Sequence, residues 1–129
     1  MRVAVVGSRS FHEYDLMRAV LDESLTRGDI IVSGGCPLGA DFFAEEYAKA
    51  NRYETNILPA DWSTGIRAGF DRNADIEADS DVCIAFWDGV TNGTRDTIRL
   101  FKASGKHVKV VPFKPRTWDK EVDLSDMFE

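Results

Sequence analysis

Three stretches of the chain combine small, hydroxyl-bearing and charged residues in a way that could do chemistry: Gly7-Ser8-Arg9-Ser10, residues 33–41 with Ser33, Gly34, Gly35, Gly39 and Asp41, and residues 87–94 with Trp87, Asp88, Asn92, Gly93 and Thr94. Glycine lets a backbone approach a guest closely, N–H groups at a helix start donate, and arginine adds charge-assisted bonds. Such a mixture suits an anion, either a phosphate or a carboxylate. Each residue also has a plainer reading. The glycines serve equally as turn and helix-start residues, and Arg9 is either a solvated charge or a phosphate partner. Asp41 either complements a helix dipole or touches a ligand. Arg72, followed by Asn73, is equally two-sided, and Asn92-Gly93-Thr94 is either a helix cap or a phosphate seat. Trp62 and Trp87 belong to the core unless one is exposed for base stacking. Within the second stretch, a side chain on Gly35 is expected to stand between an anion and its N–H donors.

Those stretches must be positioned by the elements around them. The pattern alternates strand and helix, with strands expected at residues 2–6, 30–32, 55–58, 82–86 and 108–111 and helices at 14–26, 39–51, 71–78 and 94–104. Near-continuous apolar runs such as Val3 to Val6 mark strands buried on both faces. This predicts an α/β chain, a Rossmann-like three-layer αβα fold with a five-stranded, mainly parallel sheet. In strand order 3-2-1-4-5, a ligand belongs beyond the carboxyl ends of the strands, between the loops after the first and fourth, with the loop after the second flanking it. The connection from Pro59 to about Gly69 is long enough to suggest a functional loop or lid. Residues 1–112 form the expected ligand-binding domain. Residues 113–129 read as an irregular tail, with Trp118 or Phe128 docked on the body or on another subunit.

With 129 residues, 43% of them hydrophobic and 29% charged, the chain can bury a core of ordinary size. Its apolar runs are too short to cross a bilayer, and a cytoplasmic location without membrane contact is expected. A formal charge of −6 and a pI near 4.9 disfavour nucleic acid as partner. Cys36, Cys83, His12 and His107 lack metal-type spacing, so no metal and no cofactor are expected. Neither a Walker A sequence, nor the dinucleotide glycine fingerprint, nor a Ser/His/Asp set is present.

Taken in order, V-V-G-S-R-S at 5–10, S-G-G at 33–35, G-A-D at 39–41, P-A-D-W at 59–62, R-N at 72–73, A-F-W-D-G at 85–89 and N-G-T at 92–94 resemble the small YspA-type, cpYpsA-related members of the SLOG superfamily over residues 1–112. The resemblance implies a Rossmannoid fold that binds nucleotides or nucleotide-derived molecules, for sensing or sequestration. It also implies a homodimer or higher homo-oligomer, and relatives that act as hydrolases, as sensors or in bacterial and phage conflict. The enzymatic branch, the Lonely Guy phosphoribohydrolases, carries an arginine in an R-K helix and a P-G-G-x-G-T-x-E-E loop. Arg72-Asn73 is similar to the first and Gly93-Thr94 to the second, making Arg72 and Asp96 the candidate catalytic residues. Thr97 stands where the second glutamate would be, and a threonine cannot carry the charge that nucleoside monophosphate cleavage needs. The resemblance therefore favours binding over turnover.

Overall fold

The computed structural model describes residues 1–114, so the expectations for residues 115–129, Trp118 and Phe128 included, lie outside the described residues. Five strands, β1 (Arg2–Gly7), β2 (Ile30–Ser33), β3 (Glu54–Ile57), β4 (Val82–Trp87) and β5 (Val108–Pro112), alternate with four helices, α1 (Tyr14–Ser24), α2 (Gly39–Asn51), α3 (Ala68–Ala78) and α4 (Asn92–Ala103). The sheet has order β3-β2-β1-β4-β5, and all four pairings are parallel. Strand order reverses at β1, so β1 and β4 flank the crevice where α/β sheets of this kind take ligands.

Alternation along the central strands explains the three layers. Successive side chains point to opposite faces. Val3 and Val5 of β1, with Ile84 and Phe86 of β4, pack under Met17 and Leu21 of α1 and Ala44 and Tyr47 of α2. Ala4, Val6, Cys83 and Ala85 face the other way, onto Ile76 of α3 and Ile98 and Phe101 of α4. Burying each of the larger side chains stabilises the fold by about 1.5–3 kcal/mol, so both faces of β1 and β4 must stay apolar.

Two boundaries differ from expectation in ways that matter for the crevice. α3 starts at Ala68, three residues earlier than the periodicity predicts, because Ala68 N–H reaches Gly65 O at 3.2 Å and Asp71 N–H reaches Arg67 O at 2.9 Å. Ala68 and Gly69 are buried by that turn. α4 starts at Asn92 instead of Thr94. The Asp88 carboxylate accepts from Val90 N–H, Thr91 N–H and the Thr91 hydroxyl at 2.7–2.9 Å, bending the chain so that Thr91 O takes the first helical bond from Arg95 N–H. The connection after β3 holds a single 3-10 turn, Trp62–Thr64, whose Asp61 cap accepts from Ser63 N–H at 3.2 Å. No described helix is long and apolar enough to cross a membrane.

Candidate functional site

A crevice of about 280 Å³, counted with its open mouth, lies over the carboxyl ends of β1 and β2, and seven of the residues picked out from the sequence line it: Gly7, Gly34, Asp41, Arg72, Asn73, Gly93 and Thr94. Val6, Ile76 and Thr97 line it too. Val6 ends the apolar run of β1. Ile76 stands one helical turn beyond Arg72 on the same face of α3, a spacing that would have revealed it. Thr97, one turn beyond Gly93 on α4, is buried, and its hydroxyl donates to Gly93 O at 3.2 Å.

Arg72 is held by its neighbours. Its Nη1 donates to Gly34 O at 2.7 Å and, more distantly, to Leu58 O at 3.5 Å, while Nε donates to Asn73 Oδ1 at 3.2 Å. Nη2 donates to no atom among the described residues. Asn73 in turn is buried and reaches across to α4, where its Nδ2 donates to Gly93 O at 3.2 Å and to Asp96 Oδ2 at 3.3 Å. The guanidinium therefore sits in a frame spanning β2, β3, α3 and α4. Opposite it, no side chain caps the N-terminus of α4, and its first turn carries the donor end of the helix dipole past Gly93 and Thr94.

Asp41 is the carboxylate that lines the crevice, and it is only 6% exposed. Its Oδ2 accepts from Cys36 N–H at 3.1 Å. Burial pushes its pKa up to about 6, against the opposing pull of that N–H bond and of the nearby charges of Arg72 and Arg9; Glu45 adds to the rise.

The remaining predicted residues surround the crevice without lining it. Ser8 is buried, with its Oγ 2.9 Å from Thr91 Oγ1, and its carbonyl accepts from Phe11 and Ala40 N–H. It thereby joins the β1 loop to the α4 approach and to α2. Gly39 has φ +68°, and a side chain there would run into the Ser8 carbonyl and the Arg9 backbone. That close approach seats α2 on the β1 loop. Ser33 is buried, and its Oγ accepts from Gly35 N–H at 3.4 Å. Gly35, at φ +74°, points its missing Cβ at Ile57, 2.7 Å away, so it forms a turn packed on β3. The close approach expected of Gly35 belongs to Gly34, whose missing Cβ would stand 2.4 Å from Arg72 Nη1 and 2.8 Å from Asp41 Oδ2. The sequence offered two adjacent glycines, and only strand direction decides which one faces the crevice.

Trp87 is half-buried. Its Nε1 donates to Thr91 O at 3.0 Å, and the Arg95 guanidinium lies 5.7 Å from its ring centre. Trp62 is 47% exposed. Asp88 spends its carboxylate inside its own loop, and Asn92 is exposed at the helix start. Asp96 accepts from Asn73 on one oxygen and from Arg99 on the other, the latter at 2.6 Å. Among the described residues no group of His, Cys, Asp and Glu is arranged to hold a metal ion.

Comparison with known proteins agrees with this architecture. A model of the family described as YspA, cpYpsA-related SLOG matches residues 1–65, the part carrying β1, α1, β2, the glycine turn after it, α2 and β3. The chain is also 36% identical over 114 residues to the Gene 61 protein of Mycobacterium phage D29, a match covering 81% of this chain and 90% of that protein. With a parallel sheet of order β3-β2-β1-β4-β5 and a crevice built at its switch point, the chain belongs to the YspA, cpYpsA-related SLOG family.

Proposed function

We propose that this protein binds a nucleotide or nucleotide-derived small molecule, as a sensor or a sequestering protein, with the phosphate between Arg72 and the first turn of α4. The observation that carries the reading is the placement of Arg72. Its guanidinium is fixed by Gly34 O and Asn73 on one wall of the crevice, across from a helix N-terminus with no side-chain cap. A fixed guanidinium loses little freedom on binding, and the dipole end favours negative charge. Family membership supports a nucleotide-related ligand. Cys36 and Cys83, neither of them in a disulfide among the described residues, suit a reducing, cytoplasmic setting.

Calorimetry with nucleoside 5′-monophosphates tests the reading. Arg72→Ala is expected to weaken binding by about 10- to 100-fold, the usual worth of a hydrogen bond to a charged partner. Arg72→Lys, which keeps the charge and loses the fork, should fall between it and the wild type. Thermal unfolding of the same variants separates loss of ligand contact from loss of the Gly34 and Leu58 anchors. Equal affinity in all three proteins would remove Arg72 from the site.

Asp41 favours a second reading, cleavage of the N-glycosidic bond of a nucleoside monophosphate. A carboxyl titrating at about 6 inside the crevice is suited to general acid–base work near neutrality. Asp96 is poorly suited, since both its oxygens are occupied. Thr97 supplies a hydroxyl already given to Gly93 O. The expected result is retention of the nucleotide without release of free base, followed by chromatography. Multiple turnovers lost in Asp41→Asn and kept in Asp96→Asn would put cleavage first.

A further inference from the structure

We infer that Asp41 reads the sugar of the bound nucleotide, accepting a hydrogen bond from a ribose hydroxyl on Oδ1 and so selecting ribose over deoxyribose ligands. The inference rests on the nucleotide reading above. Of the carboxylate's two oxygens, Oδ2 is taken by Cys36 N–H, while Oδ1 accepts no hydrogen bond among the described residues. The side chain is more than nine-tenths buried and lines the crevice. Oδ1 is not among the fully buried polar atoms that lack a partner, so it opens on the crevice, where a guest's hydroxyl can take the place of water.

The surroundings restrict what that donor can be. Inorganic phosphate alone would set two anions side by side and leave Oδ1 unsatisfied. A cationic group would be repelled by Arg72 and Arg9, whose charges already act on this carboxylate. What fits is a neutral hydroxyl carried on the same molecule as an anion, close enough for both to enter one crevice.

The test uses the full chain in titration calorimetry with the four common ribonucleoside 5′-monophosphates, their 2′-deoxy and 3′-deoxy counterparts, ribose 5-phosphate and inorganic phosphate. Removing one of the two hydroxyls is expected to weaken binding by about 10- to 100-fold, as for other hydrogen bonds to a charged group. In Asp41→Ala that discrimination should vanish, and in Asp41→Asn, whose amide oxygen is needed by Cys36 N–H and whose NH2 then faces the hydroxyl as a donor, it should fall below that of the wild type. Circular dichroism of each variant confirms that the comparison is between folded proteins. Equal wild-type affinity for the ribo, 2′-deoxy and 3′-deoxy forms overturns the inference while leaving the nucleotide reading in place. Absence of binding by every phosphorylated probe overturns both.

Discussion

Gly34→Ala should weaken nucleotide binding by at least about tenfold with little change in melting temperature, whereas Gly7→Ala, on the same crevice, should lower the melting temperature strongly. Both glycines line the site, but the atoms a methyl group would meet differ in kind. At Gly34 the added Cβ lands 2.4 Å from Arg72 Nη1, 2.8 Å from Arg72 Cζ and 2.8 Å from Asp41 Oδ2, the ends of two side chains and no backbone atom. The backbone there is not left-handed, so alanine imposes no conformational strain. The guanidinium moves away, loses Gly34 O and vacates the place proposed for phosphate, costing one charge-assisted contact of about 1.5–3 kcal/mol. At Gly7 the Cβ would lie 2.4 Å from the Phe86 carbonyl and 2.7 Å from Ala40 Cβ. Those atoms belong to β4 and α2, which cannot step aside without separating a helix from the sheet. Overpacking of this kind costs about 1–3 kcal/mol or more. Calorimetric affinity and melting temperature on both variants check the pair. If Gly34→Ala binds like the wild type, the arginine frame is not where the ligand sits.

Much of the scaffold is legible in the residues themselves. Apolar runs at Val3 to Val6 and Val82 to Phe86, separated by amphipathic stretches, leave few alternatives to a parallel sheet covered on both faces, and the strand order follows the common pattern. Helix starts are less legible. Asp88 sets the beginning of α4 through bonds to Val90 and Thr91, and the Gly65 turn sets α3, and neither effect changes hydrophobic periodicity. The lining residues divide along the same line. Gly7, Asp41, Arg72 and Gly93 stand out by type and position. Ile76 enters through helix geometry, Thr97 is marked only by its place in the loop that resembles the enzymatic branch, and which of Gly34 and Gly35 faces inward depends on the direction in which β2 ends. Ser8 and Asp88 look like ligand-binding residues because short polar side chains in loops serve equally to tie loops together, and in this fold they do so.

Protonation of Asp41 should leave a distinct mark on stability, falling as pH rises from about 5 to about 7.5. The sign follows from the direction of its shift. With its pKa raised to about 6, the folded protein holds a proton that the unfolded chain, at the ordinary value of 3.8, has already released. Wherever the native state binds more protons, raising pH destabilises it. The carboxylate is shielded from water by burial, and the groups facing it are Arg72, Arg9, Glu45 and the Cys36 N–H, whose combined pull is outweighed by desolvation. From about pH 5 to about pH 7.5 the loss is on the order of 1 kcal/mol, a few degrees in melting temperature for a chain of this size. Other carboxylates act in the opposite direction and at lower pH. Asp29, bonded by Thr26 N–H, Glu77, bonded by Ser104 and Lys106, and Asp79, bonded by Arg2, are all held below their ordinary values. Their contribution is in place above the ordinary carboxylate range and is lost only as pH falls below it. Denaturant unfolding of the wild type and of Asp41→Asn across this range isolates the effect, because the amide keeps an acceptor for Cys36 N–H and cannot ionise. The difference in stability between the two proteins should grow with pH in favour of the variant and level off above about pH 7. Parallel curves would mean that Asp41 is ionised throughout, and that the crevice presents a fixed negative charge to any phosphate entering it.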